Sequence, residues 1–158
     1  MQKQKGFSLI ELLIVIAIIL IIASMAIPSL IAVQRSAHEA AAAKAIGTIN
    51  TAEIAYNSVY PAVGFAGTLA ALGGTSCHPP SSVSACLIDS QIASGTKQGY
   101  TFTLSGLTGT PAATYQVIAA PTVPNETGVR YFCSTSDGVV RASDTPITAC
   151  DVNVPPLQ

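Results

Sequence analysis

One carboxylate stands at the head of a long apolar segment. Glu11 is followed by a stretch from Leu12 to Gln34 that contains no formally charged residue and consists mostly of Ile, Leu, Val and Ala. As a helix this stretch would extend roughly 35 Å, enough to cross a bilayer. A charged group at membrane depth costs about 2.5 to 3.5 kcal/mol. Glu11 therefore requires a partner or a function.

An ordinary secretory signal peptide is the simplest alternative for this segment. Lys3 and Lys5 precede the apolar run, and Ser24-Met25-Ala26 is an acceptable cleavage site for signal peptidase. However, a signal peptide has no use for Glu11. The apolar run also continues beyond Ala26, so the signal-peptide interpretation leaves both features unexplained.

A motif around Glu11 identifies a better candidate. One segment reads Lys5-Gly6-Phe7-Ser8-Leu9-Ile10-Glu11-Leu12-Leu13-Ile14-Val15. This segment resembles the cleavage and methylation motif of type IV prepilins and type II secretion pseudopilins. The resemblance implies that prepilin peptidase removes a leader of residues 1–6 by cutting after Gly6. It also implies N-methylation of Phe7 and a requirement for Glu11 in assembly. Pro28 stands where many members have a helix-kinking proline. Leu20 departs from the family pattern, because many pilins have a helix-weakening glycine near this position.

Elementary electrostatics gives a reason for the motif. A cut after Gly6 creates an α-amine on Phe7, and this cation is a natural partner for the Glu11 carboxylate. The two could pair within one helix, as i and i+4 neighbours, or between subunits of a filament. The sequence leaves both arrangements open.

Residues 7–60 are predicted to form one long helix. Residues 7–34 are apolar on every side and are expected to serve as a transmembrane anchor and later as a filament core, with a kink at Pro28. Residues 35–60 are amphipathic, and Pro61 stops the helix. Asn50, Thr51 and Asn57 are expected on the far side from the apolar stripe, which comprises Ala42, Ala45, Ile46, Ile49, Ala52, Tyr56, Val59 and Tyr60.

The remaining residues, 61–158, are predicted to form one globular domain. Gly, Pro and Ser dominate residues 61–99, which indicates a connecting loop. Alternating apolar residues predict antiparallel strands within residues 100–142, with a hairpin turn at Asp137-Gly138. Residues 143–158 form a tail. The expected fold is α+β, with the long kinked helix packed on a disulfide-bonded antiparallel sheet of three to four strands.

The cysteines are interpreted as two disulfides. All four lie in the C-terminal domain, as expected for an exported segment. Of the three possible pairings, Cys77 with Cys86 and Cys133 with Cys150 is favoured, because each bridge closes a loop without regular structure. The second bridge would tie the tail to the sheet. A zinc site is disfavoured because the chain has no close C-x-x-C pair.

No catalytic site is predicted. His38 and His78 stand in no active-site motif, and no phosphate-binding loop is present. A net charge of −1 indicates no basic surface for nucleic acid. Asp137, Asp144 and Asp151 could contribute to a calcium site, but they do not form an EF-hand-like loop. Asn125-Glu126-Thr127 matches the short glycosylation sequon. No metal or cofactor is expected.

The predicted function is therefore structural. The chain is expected to be a single-pass precursor in the bacterial inner membrane, held by lipid, and then a subunit of an extracellular helical filament of its own copies. Its partners would be prepilin peptidase and the inner-membrane pilus assembly machinery, and adhesion, motility or DNA uptake are roles of the resembled family. A type II secretion pseudopilin is the near alternative. A membrane-anchored extracytoplasmic binding module is the alternative of another class.

Overall fold

The computed structural model describes residues 6–74 and 77–157. The chain divides into two compact units, Met1–Gln34 and Arg35–Gln158. The elements in chain order are helices and strands of very unequal length: α1 Leu9–Val59, α2 Leu69–Leu72, α3 Ser90–Ala93, β1 Thr96–Lys97, β2 Tyr100–Thr108, β3 Thr114–Pro121, β4 Tyr131–Thr135 and β5 Arg141–Ser143.

The first unit is the apolar part of α1. Its large apolar side chains are exposed, no element among residues 6–34 covers them, and Pro28 lies inside the helix without ending it. Among the described residues, α1 is the one helix long and apolar enough to cross a membrane. An exposed apolar surface of this size is typical of a helix that contacts lipid or other protein. The bend at Pro28 stays a prediction.

The second unit contains an antiparallel sheet in the order β1-β2-β3-β4-β5, with each strand beside its sequence neighbour. This confirms the α+β class and the long N-terminal helix. The sheet has one strand more than the three to four expected, because β1 has two residues and gives no alternation. The segment expected as a loop, 61–99, also contains α2 and α3. Each is a single turn, too short to show helical periodicity.

The core of the second unit lies between α1 and the sheet. The helix contributes small residues such as Ala42 and Ala45 together with Ile46 and Ile49, all less than a tenth exposed. Side chains alternate between the core and the opposite face along β3. Alanine on the helix lets it approach the large residues of the sheet closely, and these include Tyr100, Phe102, Val117 and Phe132.

Asn50 corrects one prediction. Its side chain is buried rather than on the far side of the helix, and its amide donates to Ser134 Oγ at 2.9 Å and to the Gly138 carbonyl at 3.2 Å. The Tyr115 hydroxyl donates to Asn50 Oδ1 at 3.0 Å. The sequence pattern treats asparagine as a surface residue, but here every polar atom of the amide finds a partner, so burial is tolerated.

Two disulfides fasten the irregular parts of the second unit. They join Cys77 to Cys86 and Cys133 to Cys150, which is the pairing favoured from the sequence. Beyond Cys150 the tail covers the outer edge of β5. The Ala142 N–H donates to the Pro155 carbonyl, and the Leu157 N–H donates to the Val140 carbonyl. The tail thus satisfies backbone groups that an edge strand would otherwise expose.

Candidate functional site

The candidate processing site lies immediately before the helix. Gly6, Phe7 and Ser8 are exposed and have no regular secondary structure, and α1 begins at Leu9. The phenyl ring of Phe7 is 79% exposed. The peptide bond between Gly6 and Phe7 is therefore in an accessible segment outside the helix. The predicted basic leader residues Lys3 and Lys5 lie outside the described residues.

Glu11 caps the first turn of this helix. The Ser8 N–H donates a 2.9 Å hydrogen bond to Glu11 Oε2, and the Leu12 N–H donates to the Ser8 carbonyl. Ser8 and Glu11 occupy the N-cap and N3 positions, which is the spacing of the S-x-x-E capping box. The Glu11 charge also lies at the positive end of the helix dipole. The sequence contains this signal in Ser8-Leu9-Ile10-Glu11, and our sequence analysis missed it.

The helix start changes the expected relation between Phe7 and Glu11. Because α1 begins at Leu9, Phe7 lies one residue before the N-cap and is not an i,i+4 helical neighbour of Glu11. The Glu11 carboxylate instead lies against the N–H of Ser8, the residue that follows Phe7. A new amine on Phe7 would thus be one peptide unit from the Ser8 N–H that is hydrogen-bonded to Glu11.

In the second unit, a carboxylate joins α1 to the segment before β4. Glu39 Oε1 accepts from the Val129 N–H at 2.9 Å, and Glu39 Oε2 accepts from Arg130 Nε at 2.9 Å. Burial alone would raise the Glu39 pKa, but the hydrogen bonds from Val129 and Arg130 outweigh it and lower the pKa. Glu39 is therefore an ionised clamp between the helix and the sheet.

A second carboxylate of α1 lies fully inside the core. Glu53 is 0% exposed, and its Oε2 accepts from the Ala66 N–H at 2.8 Å, while its Oε1 has no hydrogen-bond partner among the described residues. Burial raises the Glu53 pKa to about 7, and the Ala66 hydrogen bond only partly offsets this effect. The phenol of Tyr115 has its pKa raised to about 12, first by burial and then by Glu53.

The histidines and aspartates that could act in catalysis or metal binding lie apart from one another. His38 lies on α1 with Nδ1 3.2 Å from the Thr127 carbonyl, and His78 is exposed in the disulfide loop. Asp137 is held by Arg141, and Asp151 by Asn153. In the parts of the chain that the structure describes, no three His, Cys, Asp or Glu side chains form a metal-binding group. Within the described residues, the arrangement brings together a candidate processing segment and a helix cap.

Comparisons with known proteins agree with the N-terminal geometry. The family described as the prokaryotic N-terminal methylation motif matches residues 1–27. A stretch of 39 residues is 56% identical to the type IV wide pilus major component PilA4 of Thermus thermophilus, and covers 25% of this chain and 30% of that protein. No solved structure matches.

The match thus spans less than a third of this curated relative, and the globular domain lies beyond the family match. The family match contains Gly6, Phe7 and Glu11. The N-terminal part of this chain therefore has the prokaryotic N-terminal methylation motif, and its homologue is a type IV pilin.

Proposed function

We propose that this chain is a structural subunit of a type IV pilus-like filament that is processed after Gly6, methylated on Phe7 and polymerised through α1. The observation that supports this most is the position of Glu11. Its carboxylate caps the start of an exposed apolar helix and accepts from the Ser8 N–H, one peptide unit after the bond to be cut. A plain anchor needs the apolar helix but not a carboxylate at its head.

Processing has a direct electrostatic consequence. Hydrolysis of the Gly6–Phe7 bond gives a carboxylate on Gly6, which leaves with the leader, and an ammonium on Phe7, which stays with the helix. The ammonium then stands at the positive end of the helix dipole, an unfavourable place for a cation. Glu11 offsets this in its own chain, or the amine of an incoming subunit pairs with Glu11 of a docked one. Methylation of the amine keeps its positive charge.

The proposed partners follow from the same helix. Lipid of the bacterial inner membrane covers residues 7–34 before assembly, and copies of the same helix cover them in the filament outside the cell. Prepilin peptidase and the inner-membrane assembly machinery act between these stages. A pseudopilin of type II secretion would share the motif, but the relative with 56% identity is named as a pilus component, so we favour the pilus.

Intact mass and electron microscopy of surface-sheared protein test the proposal together. The expected mass is that of a chain from Phe7 to Gln158 with two disulfides and one methyl group, recovered from filaments. A chain beginning at Ile27 would show cleavage by signal peptidase and contradict the proposal. Correctly processed protein that remains in the membrane of a producing cell would support the anchored binding module instead.

A further inference from the structure

A polar cleft lies in the second unit between α1 and the turn that joins β1 to β2. It has a volume of 240 Å³ and is lined by Ala41, Lys44, Ala45, Thr48, Lys97 and Gln98. Two lysines and a glutamine thus line one small space. The small side chains of Ala41 and Ala45 on the helix create the space, and the two lysines supply positive charge. Such a space suits an anionic oxygen group.

The charge of this cleft is only partly compensated. Lys97 Nζ lies 2.8 Å from Asp89 Oδ2, but Asp89 also accepts from two backbone N–H groups at the start of α3. Lys44 Nζ has no hydrogen-bond or ion-pair partner within the described ranges. An added carboxylate would therefore complete an ion-pair network rather than displace one.

The turn at the mouth of the cleft has an unusual residue. Gln98 and Gly99 both have positive φ, +47° and +76°, as a two-residue type I′ hairpin turn requires. Asparagine or glycine fits the first of these positions with less strain than glutamine. The position nevertheless has a longer side chain, whose amide can donate and accept hydrogen bonds inside the cleft.

Two exposed carboxylates in this unit are free to meet such a cleft. Glu39, Asp89, Asp137 and Asp151 accept hydrogen bonds inside their own chain, and Glu53 is buried. Asp144 and Glu126 are exposed and have no such bond among the described residues. Asp144 follows β5, at the edge of the sheet opposite β1, and lines a separate groove with Arg130.

Geometry separates these two carboxylates. Glu126 belongs to the turn between β3 and β4, which adjoins the cleft's own turn, because the Thr122 N–H donates to the Gly99 carbonyl. A contact through Glu126 would use neighbouring parts of one end of each subunit, a placement that suits a closed two-fold pair. A contact through Asp144 joins opposite edges of two sheets. Such a heterologous contact can repeat without closing, as a filament requires.

We infer that the Lys44–Lys97 cleft of one subunit binds the Asp144 carboxylate of a second copy of this chain. The inference rests on the proposed function, since it names the partner of the globular domain in the filament. The contact fixes which edges of neighbouring domains meet, and is separate from the packing of the apolar helices.

Carbodiimide cross-linking of native filaments tests the contact directly, because this reagent joins an amine to a carboxylate only when they touch. Filaments from mixed unlabelled and ¹⁵N-labelled subunits are expected to give mixed-isotope peptides that join Lys44 or Lys97 to Asp144. Filaments that form without this link overturn the inference and leave the proposed function standing. A producing cell that makes no filaments overturns the proposed function, and the inference with it.

Charge exchange provides the second test. Lys44→Glu and Asp144→Lys are each expected to lower filament yield about tenfold, the factor that corresponds to a weak interfacial charge pair. The double variant restores the pair in reverse and should recover most of the yield. Glu126→Lys makes the same change of net charge as Asp144→Lys and is the matched control, with wild-type yield expected. Loss of filaments in this control, or no recovery in the double variant, contradicts the inference.

Discussion

The backbone N–H of Ser8 donates a 2.9 Å hydrogen bond to the Glu11 carboxylate. This bond gives Glu11 a role before any processing, since it caps the helix that begins at Leu9. The same carboxylate is the proposed counter-ion of the Phe7 amine after processing. Capping requires an acceptor oxygen, whereas pairing with an amine requires a negative charge. The two roles are therefore separable by substitution.

Glu11→Gln should leave membrane insertion and the cut after Gly6 intact while sharply lowering filament yield. Glutamine retains an oxygen for the Ser8 N–H and is itself a capping-box residue. It has no charge, so the Phe7 amine loses its counter-ion in an apolar filament core, at a cost of about 3 to 5 kcal/mol for a broken buried pair. Processed protein in membranes and filaments in the sheared fraction are the two measurements.

Glu11→Ala is the matched variant, because it removes the cap and the charge together. If charge governs assembly, both variants assemble equally poorly. If capping governs assembly, the Glu11→Gln variant forms filaments normally and only the Glu11→Ala variant does not. Normal filament yield from Glu11→Gln would thus reject the counter-ion role and leave Glu11 as a local cap.

The N-terminal motif and Asn50 differ in how well the sequence predicts them. Gly6, Phe7 and Glu11 could be predicted as a processing and assembly motif because the motif is local in sequence, at the start of an apolar run. The long helix was predicted for the same reason. Asn50 was misplaced because its partners, Ser134 and Tyr115, are distant in sequence. A helical pattern reports which residues are apolar, but not which polar ones find partners in the core.

Glu39→Ala should destabilise the second unit by about 2 to 3 kcal/mol. The change leaves the Val129 N–H and the Arg130 guanidinium without their acceptor, and hydrogen bonds to charged groups contribute about 1.5 to 3 kcal/mol. Arg130→Ala should cost less, about 1 kcal/mol, because its side chain is 43% exposed and the Val129 bond survives. Urea unfolding of the full chain in detergent micelles measures both. Equal costs would mean that the ion pair, rather than the backbone bond, dominates.

Acid should weaken the same clamp. The pKa of Glu39 is lower in the folded chain than its ordinary value of 4.5. Its contribution to stability is therefore present above pH 4.5 and is lost as pH falls through the folded pKa. Wild type should lose stability in this acid range relative to Glu39→Gln, which does not titrate. Parallel curves for the two proteins would contradict an ionised Glu39.

Replacing Cys133 and Cys150 with serine should free the C-terminal tail. The bridge spans 17 residues, and the chain-entropy model assigns about 3 kcal/mol to a loop of this size. Hydrogen exchange should quicken at the Ala142 and Leu157 amides, whose acceptors lie across the tail contact. The control is the double serine variant of Cys77 and Cys86, which should leave these two amides protected. Equal exchange in both variants would show that the effect is global.

Strand β1 and the helices α2 and α3 illustrate the other limit of sequence reasoning. Each has two to four residues, about one repeat of its hydrophobic pattern, so the pattern does not recur within the element. The first turn of α2 is capped by Thr68 alone, and that of α3 by Asp89. Elements of this size form because the surrounding domain holds them, so local propensity does not reveal them.

Glu53 should make the second unit less stable as pH rises from 4.5 to about 7. Burial raises its pKa from the ordinary 4.5 to about 7, so between these values the folded chain holds a proton that the unfolded chain has released. The stabilisation is fully present below pH 4.5 and is lost progressively as pH rises to about 7. By linkage this loss amounts to about 3 kcal/mol.

Glu53→Gln isolates this effect. Glutamine retains an oxygen for the Ala66 N–H and has no charge at any pH, but its amide group would lie where Glu53 Oε1 has no partner in the described structure. We therefore expect a cost of about 1 to 3 kcal/mol at pH 4.5 and a flatter profile up to pH 7. Thermal unfolding of full-length protein in micelles, followed by tyrosine circular dichroism, gives both curves. Since every other titratable group is common to the two proteins, their difference reports Glu53, and a difference that does not change with pH would mean that this carboxyl is ionised in the core.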